Sequence, residues 1–183
     1  SKNGVVPCLA VVIVGDDPAS HIYVGAKERA CARLGIRSVR VDVASDAEYE
    51  EVATTVRSLN EVPGIHGVLV QSPLPSGMDE VSITDLIDPN KDVDGFHAQN
   101  LGRLVQGDVS GLLPCTPAGV MRMLESTDLE IRGKRAVVIG RSRIVGMPQS
   151  ILLAQRGVDA TVTIAHSRTC LLYTSPSPRD ERL

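Results

Sequence analysis

A lysine within a predicted helix is the first residue of this sequence that could do chemistry. The segment SHIYVGAKERACARLG is predicted to be a helix over Ser20–Leu34. At about 100° per residue, one stripe of this helix carries Tyr23, Lys27, Ala30, Cys31 and Leu34. Lys27 is therefore expected on a buried or cleft-lining face, where a desolvated amine transfers protons readily. The alternative is a lysine whose stem follows the helix edge and whose ammonium reaches solvent.

Two later segments carry polar side chains that could act with this lysine. LVQSPLP ends a predicted strand with Gln71, and Pro73 and Pro75 follow it. NKDVDGF carries Asp92 and Asp94. An amide and a carboxylate near a lysine could orient the lysine and bind a polar heterocycle. The alternative for a loop aspartate is its usual work of capping a turn.

A glycine-containing turn follows a predicted strand in VVIGRSRIVGMP. Gly140 and Gly146 do not have the G-x-G-x-x-G spacing. However, a strand precedes the turn, a helix follows it, and the unit closes after about 30 residues, as in a mononucleotide-binding unit. The helix N-terminus offers N–H groups to a phosphate, and Arg141 and Ser142 add a charged donor and a hydroxyl. The alternative is that both glycines serve tight turning only.

The end of the next predicted strand indicates which nucleotide would bind. An NAD site usually places a carboxylate there, on the ribose 2′-hydroxyl. The sequence AHSRT has no acid and instead carries Ser167 and Arg168. A hydroxyl and an arginine suit a 2′-phosphate, so the sequence predicts NADP rather than NAD. The alternative is that Arg168 is a solvated loop cation.

The order of predicted elements sets the fold class. Strands alternate with helices, which predicts an α/β protein with parallel sheets. The predicted strands are Leu9–Gly15, Ile36–Val43, Gly67–Gln71, Arg135–Gly140 and Ala160–His166. The predicted helices are Ser20–Leu34, Asp46–Asn60, Ala118–Ser126 and Met147–Arg156. The stretch between the third strand and the third helix is predicted to be rich in loops.

A break near Pro114–Pro117 divides the chain into two predicted domains, residues 1–113 and 114–169. The last segment, CLLYTSPSPRDERL over residues 170–183, has neither helix nor strand periodicity and is predicted to be a non-native or disordered tail. The alternative is a native flexible terminus. Both domains are predicted to be truncated.

Composition excludes several classes of function. The 183 residues carry a net charge of −3, which argues against a nucleic-acid surface. No apolar run approaches the roughly 20 residues of a membrane span. The four cysteines are scattered without zinc-ligand spacing, so no metal site is predicted and thiols of a reducing compartment are expected.

Seven segments together resemble the bifunctional methylenetetrahydrofolate dehydrogenase/methenyltetrahydrofolate cyclohydrolase family. They are VGDDPASHIYVGAK, GVLVQSPLP, KDVDGFH, NLGRL, PCTPAGVM, GRSRIVGMP and ATVTIAHSRT. They occur in the family's order and spacing between about Pro7 and Thr169.

The resemblance implies two α/β domains, an N-terminal folate-binding catalytic domain and a Rossmann-type NAD(P)-binding domain. It implies oxidation of 5,10-methylenetetrahydrofolate with NADP, followed by hydrolysis to 10-formyltetrahydrofolate. Tetrahydrofolate derivatives are the implied partners, with no nucleic acid and no membrane. A homodimer is implied for the intact protein. A cytoplasmic location is expected, with a mitochondrial one left open.

The resemblance also implies a role for each matching residue. Lys27 matches a proton-transferring lysine, Gln71 the glutamine that tunes it, and Asp94 the aspartate that anchors the pterin ring. Tyr23 matches a tyrosine that stacks on the folate. The remaining matches are Ser20 and Pro73 for substrate, and Cys115, Thr116, Gly140, Arg141, Ser142, Ile144, Val145, Ser167 and Arg168 for the cofactor.

Two other functions stay open from sequence. One is a dehydrogenase without cyclohydrolase activity, which Lys27 and Gln71 argue against. The other is an inactive α/β fragment that binds folate weakly, because two parallel strands cannot bury both faces of a sheet.

Overall fold

The computed structural model describes residues 4–108 and 110–169 of the chain. The chain divides into two compact units, Ser1–Asn100 and Leu101–Leu183. Each unit is described by itself. The predicted tail over residues 170–183 lies outside the described residues.

The first unit is built on a parallel sheet. Its elements are β1 (Cys8–Val14), α1 (Pro18–Leu34), β2 (Arg37–Val43), α2 (Tyr49–Glu61), β3 (Gly67–Val70) and α3 (Glu80–Thr84), and α4 (Ala98–Gln106) follows. The strand order is β2-β1-β3. Both pairings are parallel, with Leu9 opposite Ser38 and Gly67. The predicted α/β class with a parallel sheet is confirmed.

Helices cover both faces of this sheet, which explains why the central strand is apolar throughout. Ala10 and Val12 of β1 pack in one cluster with Val56 of α2. Val11 and Ile13 point to the other face. There they meet Val24 of α1 and Leu69 of β3. Burial of every residue but the partly buried Leu9 is typical of a parallel strand covered on both faces.

The buried stripe of α1 differs from the predicted one. The buried residues are Ser20, Val24 and Cys31. Tyr23 and Leu34, which the prediction placed on the inward stripe, are 64% and 75% exposed. The inward face is centred near Val24, about 100° around the helix from Tyr23. Lys27 therefore lies at the edge of the buried stripe, partly buried.

The second unit contains a smaller parallel sheet. Its elements are α5 (Cys115–Glu125), β4 (Arg135–Ile139), α6 (Gly146–Ala154) and β5 (Thr161–Ala165). The two strands are parallel, with Ile139 opposite Ala165. Helix α6 packs on both strands and α5 packs on α6. Alternate residues of β4 are exposed, among them Val137 at 58% and Ile139 at 75%.

The predicted loop-rich stretch after β3 is wrong in part, because it contains α3 and α4. Asp79 caps α3 by accepting from the Val81 N–H at 3.0 Å. Helix α5 begins at Cys115, three residues before the predicted start, so Cys115, Thr116 and Pro117 are helical. Within the described residues, no helix is both long enough and apolar enough to cross a membrane.

Candidate functional site

A hydrogen bond joins the candidate lysine and glutamine of the first unit. The Nζ of Lys27, on α1, donates to Oε1 of Gln71 at 3.0 Å across 44 residues of sequence. The bond is partly buried. Because Nζ carries at least two hydrogens and this bond uses one, the amine keeps a donor for a ligand.

The backbone fixes the place of Gln71. Its N–H donates to the Val12 carbonyl at 2.8 Å, which continues the β1–β3 ladder by one residue. Its side-chain Nε2 donates to the Ser72 carbonyl at 2.6 Å, so Oε1 is the atom left to face Lys27. The next peptide bond, Ser72–Pro73, is cis, and Pro73 is exposed at this end of the sheet.

Asp94 is the candidate carboxylate of this site. It is partly buried, and burial raises its pKa above the ordinary value for an aspartate. The positive charge of Lys27 lowers this pKa, and the negative charge of Asp92 raises it further. Lys27, Gln71 and Asp94 thus form one polar group at the carboxyl end of β3.

Ser20 and Tyr23 hold different positions at the start of α1. Asp17 caps the helix, and its Oδ2 accepts from the N–H and from the hydroxyl of Ser20, both at 2.8 Å. These bonds lower the pKa of Asp17. Ser20 is buried, whereas the ring of Tyr23 is exposed one turn before Lys27. A flat exposed ring of this kind can stack on an aromatic ligand.

The glycine-containing loop of the second unit passes very close to the start of α6. Gly140 has φ of 121°. A Cβ on Gly146 would lie 2.6 Å from the Gly140 carbonyl carbon and 2.9 Å from Cα of Arg141. Only glycine fits there, so the loop and the helix N-terminus form a backbone cradle. Such a cradle is the observation that fits a dinucleotide pyrophosphate.

Ser142 organises the cradle from within. Its Oγ accepts from the N–H of Val145 at 3.1 Å and of Gly146 at 3.3 Å. Both lone pairs are thereby used, so its own O–H remains as a donor. The Met147 N–H also donates inside the protein, to the Ser142 carbonyl at 3.0 Å. The expectation that the start of this helix offers free N–H groups is therefore wrong in this structure, because the N–H groups of Val145, Gly146 and Met147 are already bonded.

The cradle and the AHSRT segment lie at the same edge of the sheet. The Gly140 N–H donates to the Ala165 carbonyl at 2.7 Å, so β4 and β5 end side by side. After β5, the Thr169 N–H donates to the His166 carbonyl at 2.8 Å and closes a turn. Ser167 and Arg168 sit in this turn, exposed. Arg168 makes no ion pair with another described residue.

The remaining predicted cofactor residues lie on the same unit. Cys115 and Thr116 are exposed in the first turn of α5. Arg141 is exposed in the loop, Ile144 is partly buried and Val145 is exposed directly before α6. Across residues 4–108 and 110–169, no group of three or more metal-ligating side chains is present.

Comparison with known proteins places both units. Residues 1–94 match the model for the tetrahydrofolate dehydrogenase/cyclohydrolase catalytic domain. Residues 114–177 match the model for the NAD(P)-binding domain of the same family. The chain belongs to the tetrahydrofolate dehydrogenase/cyclohydrolase family.

Individual relatives agree with the family assignment. The bifunctional protein FolD of Prochlorococcus marinus (strain NATL1A) is 53% identical over 163 residues, 89% of this chain and 53% of that protein. The bifunctional FolD structure from Campylobacter jejuni has a TM-score of 0.89 at 42% identity, over 92% of this chain and 59% of that one. The Trypanosoma brucei FolD structure, complexed with NADP cofactor and inhibitor, has a TM-score of 0.86 at 38% identity, over 94% and 58%. The chain thus spans a little over half the length of these relatives.

In this member of the tetrahydrofolate dehydrogenase/cyclohydrolase family, two buried polar residues near Asp94 were not among the predicted site residues. Asp92 is buried, and its Oδ2 accepts from the His97 N–H at 2.8 Å and from Nδ2 of Asn100 at 2.9 Å. Asn100 was quoted only as the first residue of the NLGRL segment and was given no role. That segment, which closely follows KDVDGFH, was the signal that could have indicated it, and its buried amide needs hydrogen-bond partners.

Proposed function

We propose that the intact protein containing this chain oxidises 5,10-methylenetetrahydrofolate to 5,10-methenyltetrahydrofolate with NADP and hydrolyses the product to 10-formyltetrahydrofolate. One observation carries the proposal: the hydrogen bond from Lys27 to Gln71, beside a partly buried aspartate. This bond sets a proton-transfer group in a fixed orientation, as acid–base chemistry requires.

For the hydrolysis step we assign proton transfer to Lys27. A water oxygen forms the new bond to the methenyl carbon, and the bond from that carbon to N5 breaks. Of the two protons of that water, one goes to N5 and the other is released. Lys27, in its neutral amine form, accepts the released proton and passes it to solvent. Gln71 accepts from Nζ and so keeps the amine directed at the reacting carbon. Held groups of this kind accelerate proton transfer by roughly 10²- to 10⁴-fold.

For substrate binding we assign Asp94, Tyr23 and Pro73. The Asp94 carboxylate has two acceptor oxygens, which fit the adjacent N–H donors of a pterin edge. The exposed Tyr23 ring stacks on the aromatic part of the folate. Pro73 contributes an apolar wall after Gln71. Ser20 supports the turn that presents Tyr23, since its hydroxyl is bound to Asp17.

For the cofactor we assign the cradle between Gly140 and Gly146 to the pyrophosphate. NADP, when bound, supplies the two-electron acceptor of the oxidation. Arg141, Ser167 and Arg168 offer exposed donors to the 2′-phosphate, and the turn contains no carboxylate to repel it. The O–H of Ser142 would donate to a phosphate oxygen, and Ile144 and Val145 would shape the loop around it. Cys115 and Thr116 would lie against the nicotinamide half. The NADP complex of the Trypanosoma brucei relative supports this choice of cofactor.

The bifunctional assignment is favoured over a dehydrogenase-only one. A dehydrogenase without hydrolysis needs no lysine held by an amide, yet the Lys27–Gln71 bond is formed. We further propose a homodimer for the intact protein and a cytoplasmic location. Sedimentation analysis tests the dimer, and a strictly monomeric intact protein contradicts it.

The test of the proposed function is the variant Lys27→Met, which keeps the stem volume and removes the amine. Decay of the methenyl absorbance is expected to slow by about 10²-fold or more. Folate affinity, from calorimetry, should change little. Lys134→Met removes an exposed lysine of the second unit and is the matched control.

Undiminished hydrolysis by Lys27→Met would remove this residue from the reaction. Folate binding by the unmodified chain without any hydrolysis would instead favour the binding-only alternative for the chain as it stands.

A further inference from the structure

A second aspartate lies two residues before Asp94 and takes no part in the chemistry assigned so far. Asp92 is 1% exposed, and a charged group is rarely buried so fully without a specific task. Its Oδ2 accepts two hydrogen bonds, from the His97 N–H and from Nδ2 of Asn100. Its Oδ1 is buried and has no hydrogen-bond partner among the described residues. One oxygen of Asp92 therefore binds the loop, and the other is buried without a partner.

The bonded oxygen closes the loop that carries Asp94. Asp92 and His97 lie on either side of Asp94, so the Asp92–His97 bond joins the two ends of this short segment. The Gly95 N–H donates to the Asp92 carbonyl at 3.1 Å and turns the backbone inside it. Asn100 extends the closure, because its Nδ2 also donates to the Pro89 carbonyl at 2.9 Å.

The closed loop is attached to the sheet next to Gln71. The Val68 N–H of β3 donates to the Lys91 carbonyl at 2.7 Å, and Val68 forms a parallel bridge with Asp92. Val93 packs against the cluster on the α1 face of the sheet. Its Cγ1 occupies the space where Gly67 lacks a Cβ. The strand that presents Gln71 thus also fixes the loop that presents Asp94.

We propose that Asp92 is a positioning residue for Asp94: it closes the loop on β3 that presents the Asp94 carboxylate, and from two residues away it also acts on that carboxylate by charge. The inference rests on the proposed function for the role of Asp94 as the pterin anchor. The groups that act on Asp94 by charge are Lys27 of α1 and Asp92 itself. Asp92 thereby offsets part of the stabilisation that Lys27 gives to ionised Asp94.

Two variants separate the two parts of this role. Asp92→Asn keeps the shape and an acceptor for His97 and Asn100 but removes the charge. Asp92→Ala removes the acceptor as well and opens the loop. Asp85→Asn is the matched control, because Asp85 also binds a backbone N–H of this region, that of Ala98 at 3.0 Å, but is exposed.

The primary measurement is the titration midpoint of the Asp94 carboxyl carbon, followed by NMR in the 183-residue chain without ligand. In Asp92→Asn the midpoint should fall by roughly half a pH unit or more, because a like charge is gone. In Asp85→Asn it should not move. An unchanged midpoint in a folded Asp92→Asn chain overturns the proposal. Unfolding of Asp92→Asn also overturns it, since Asp92 would then be a structural residue only.

The second measurement is affinity for 5-formyltetrahydrofolate between pH 5 and 8 by calorimetry. The acid limb of binding should move to lower pH in Asp92→Asn, and Asp92→Ala should lose at least about tenfold in affinity at pH 7. Equal affinity of Asp92→Ala and the unmodified chain contradicts the loop-closing role. Absence of folate binding by the unmodified chain contradicts the proposed function, while the NMR titration still decides whether Asp92 acts on Asp94.

Discussion

The two candidate sites of this chain are held in different ways. In the catalytic domain, side chains far apart in sequence bind one another, and Lys27 reaches Gln71 across 44 residues. In the NAD(P)-binding domain, the contacts are local and mostly backbone: the Gly140 turn lies against Gly146, and Ser142 caps the next turn. The side chains assigned to ligand, Arg141, Ser167 and Arg168, are exposed.

This difference matches what the two proposed functions, proton transfer and pyrophosphate binding, require. A proton-transfer group must be held in one orientation before the substrate arrives, and that requires tertiary contacts. A pyrophosphate is recognised by backbone N–H groups, which a tight turn supplies without any distant partner. The comparison therefore predicts that changes in the first site alter chemistry and protonation, whereas changes in the second alter cofactor choice or local stability.

The largest effect is expected in the second site, from the double variant that combines Ser167→Asp with Arg168→Ala. The new carboxylate repels the 2′-phosphate and can accept from the 2′-hydroxyl of NAD. Loss of a charge-assisted contact plus repulsion is expected to cost NADP on the order of 2–4 kcal/mol, about 30- to 700-fold. The measurement is the ratio of dehydrogenase kcat/KM for the two cofactors in the intact protein. An unchanged ratio would identify Arg168 as a solvated loop cation, and an unmodified ratio that already favours NAD would contradict the NADP assignment.

The next effect concerns Asp94→Asn, which should weaken folate binding by about ten- to a hundredfold while leaving NADP binding unchanged. The same variant should raise stability at neutral pH. Since burial raises the pKa of Asp94, its contribution to stability is fully present at low pH and is lost as pH rises through the folded-state pKa. Removing the charge removes that loss.

Urea unfolding of Asp94→Asn and the unmodified chain at pH 4 and pH 7 tests the sign. The difference in free energy of unfolding between the variant and the unmodified chain should favour the variant more at pH 7 than at pH 4. A loss at pH 7 would show that the attraction of Lys27 outweighs burial, and equal weakening of both ligands would indicate general misfolding.

The smallest effect is expected from Gly146→Ala, which places a methyl group against the Gly140 backbone. Overpacking of this kind costs about 1–3 kcal/mol, so the urea midpoint of the second unit should fall. Gly119→Ala is the control, because a Cβ there meets nothing within 4 Å and alanine favours the α5 helix. If both variants gain stability, the cradle is looser than the structure indicates.

Sequence alone predicted the elements that are most buried. The unbroken apolar run of β1 indicates a strand covered on both faces, and six of its seven residues are buried. The edge of the second site was equally readable, because the strand, turn and helix are adjacent in the chain. The family followed from seven ordered motifs and is confirmed by both domain models.

The parts that sequence missed were too short, interrupted, or dependent on contacts between distant residues. Helix α3 has five residues, too few to show a period. Helix α4 carries Leu101, Leu104 and Val105 at helical spacing, but Gly102 and the preceding loop residues hid it. The predicted stripe of α1 was counted from Tyr23 at 100° per residue, and the period alone does not show which face of the helix is buried; the ring of Tyr23 is exposed. The closure of the Asp94 loop by Asp92 needs Asn100 and β3 together, which no local pattern contains.

The close packing of Val93 against Gly67 makes the catalytic domain sensitive to a very small mutation. Gly67 has no side chain, so its chemistry alone suggests that it can be replaced without harm. Yet a single added carbon there collides with Val93, the residue between the two aspartates. The addition of one methyl group at Gly67 is therefore expected to displace Val93 and, through it, the neighbouring Asp94. The tolerance of this position is set by an atom that the sequence leaves out.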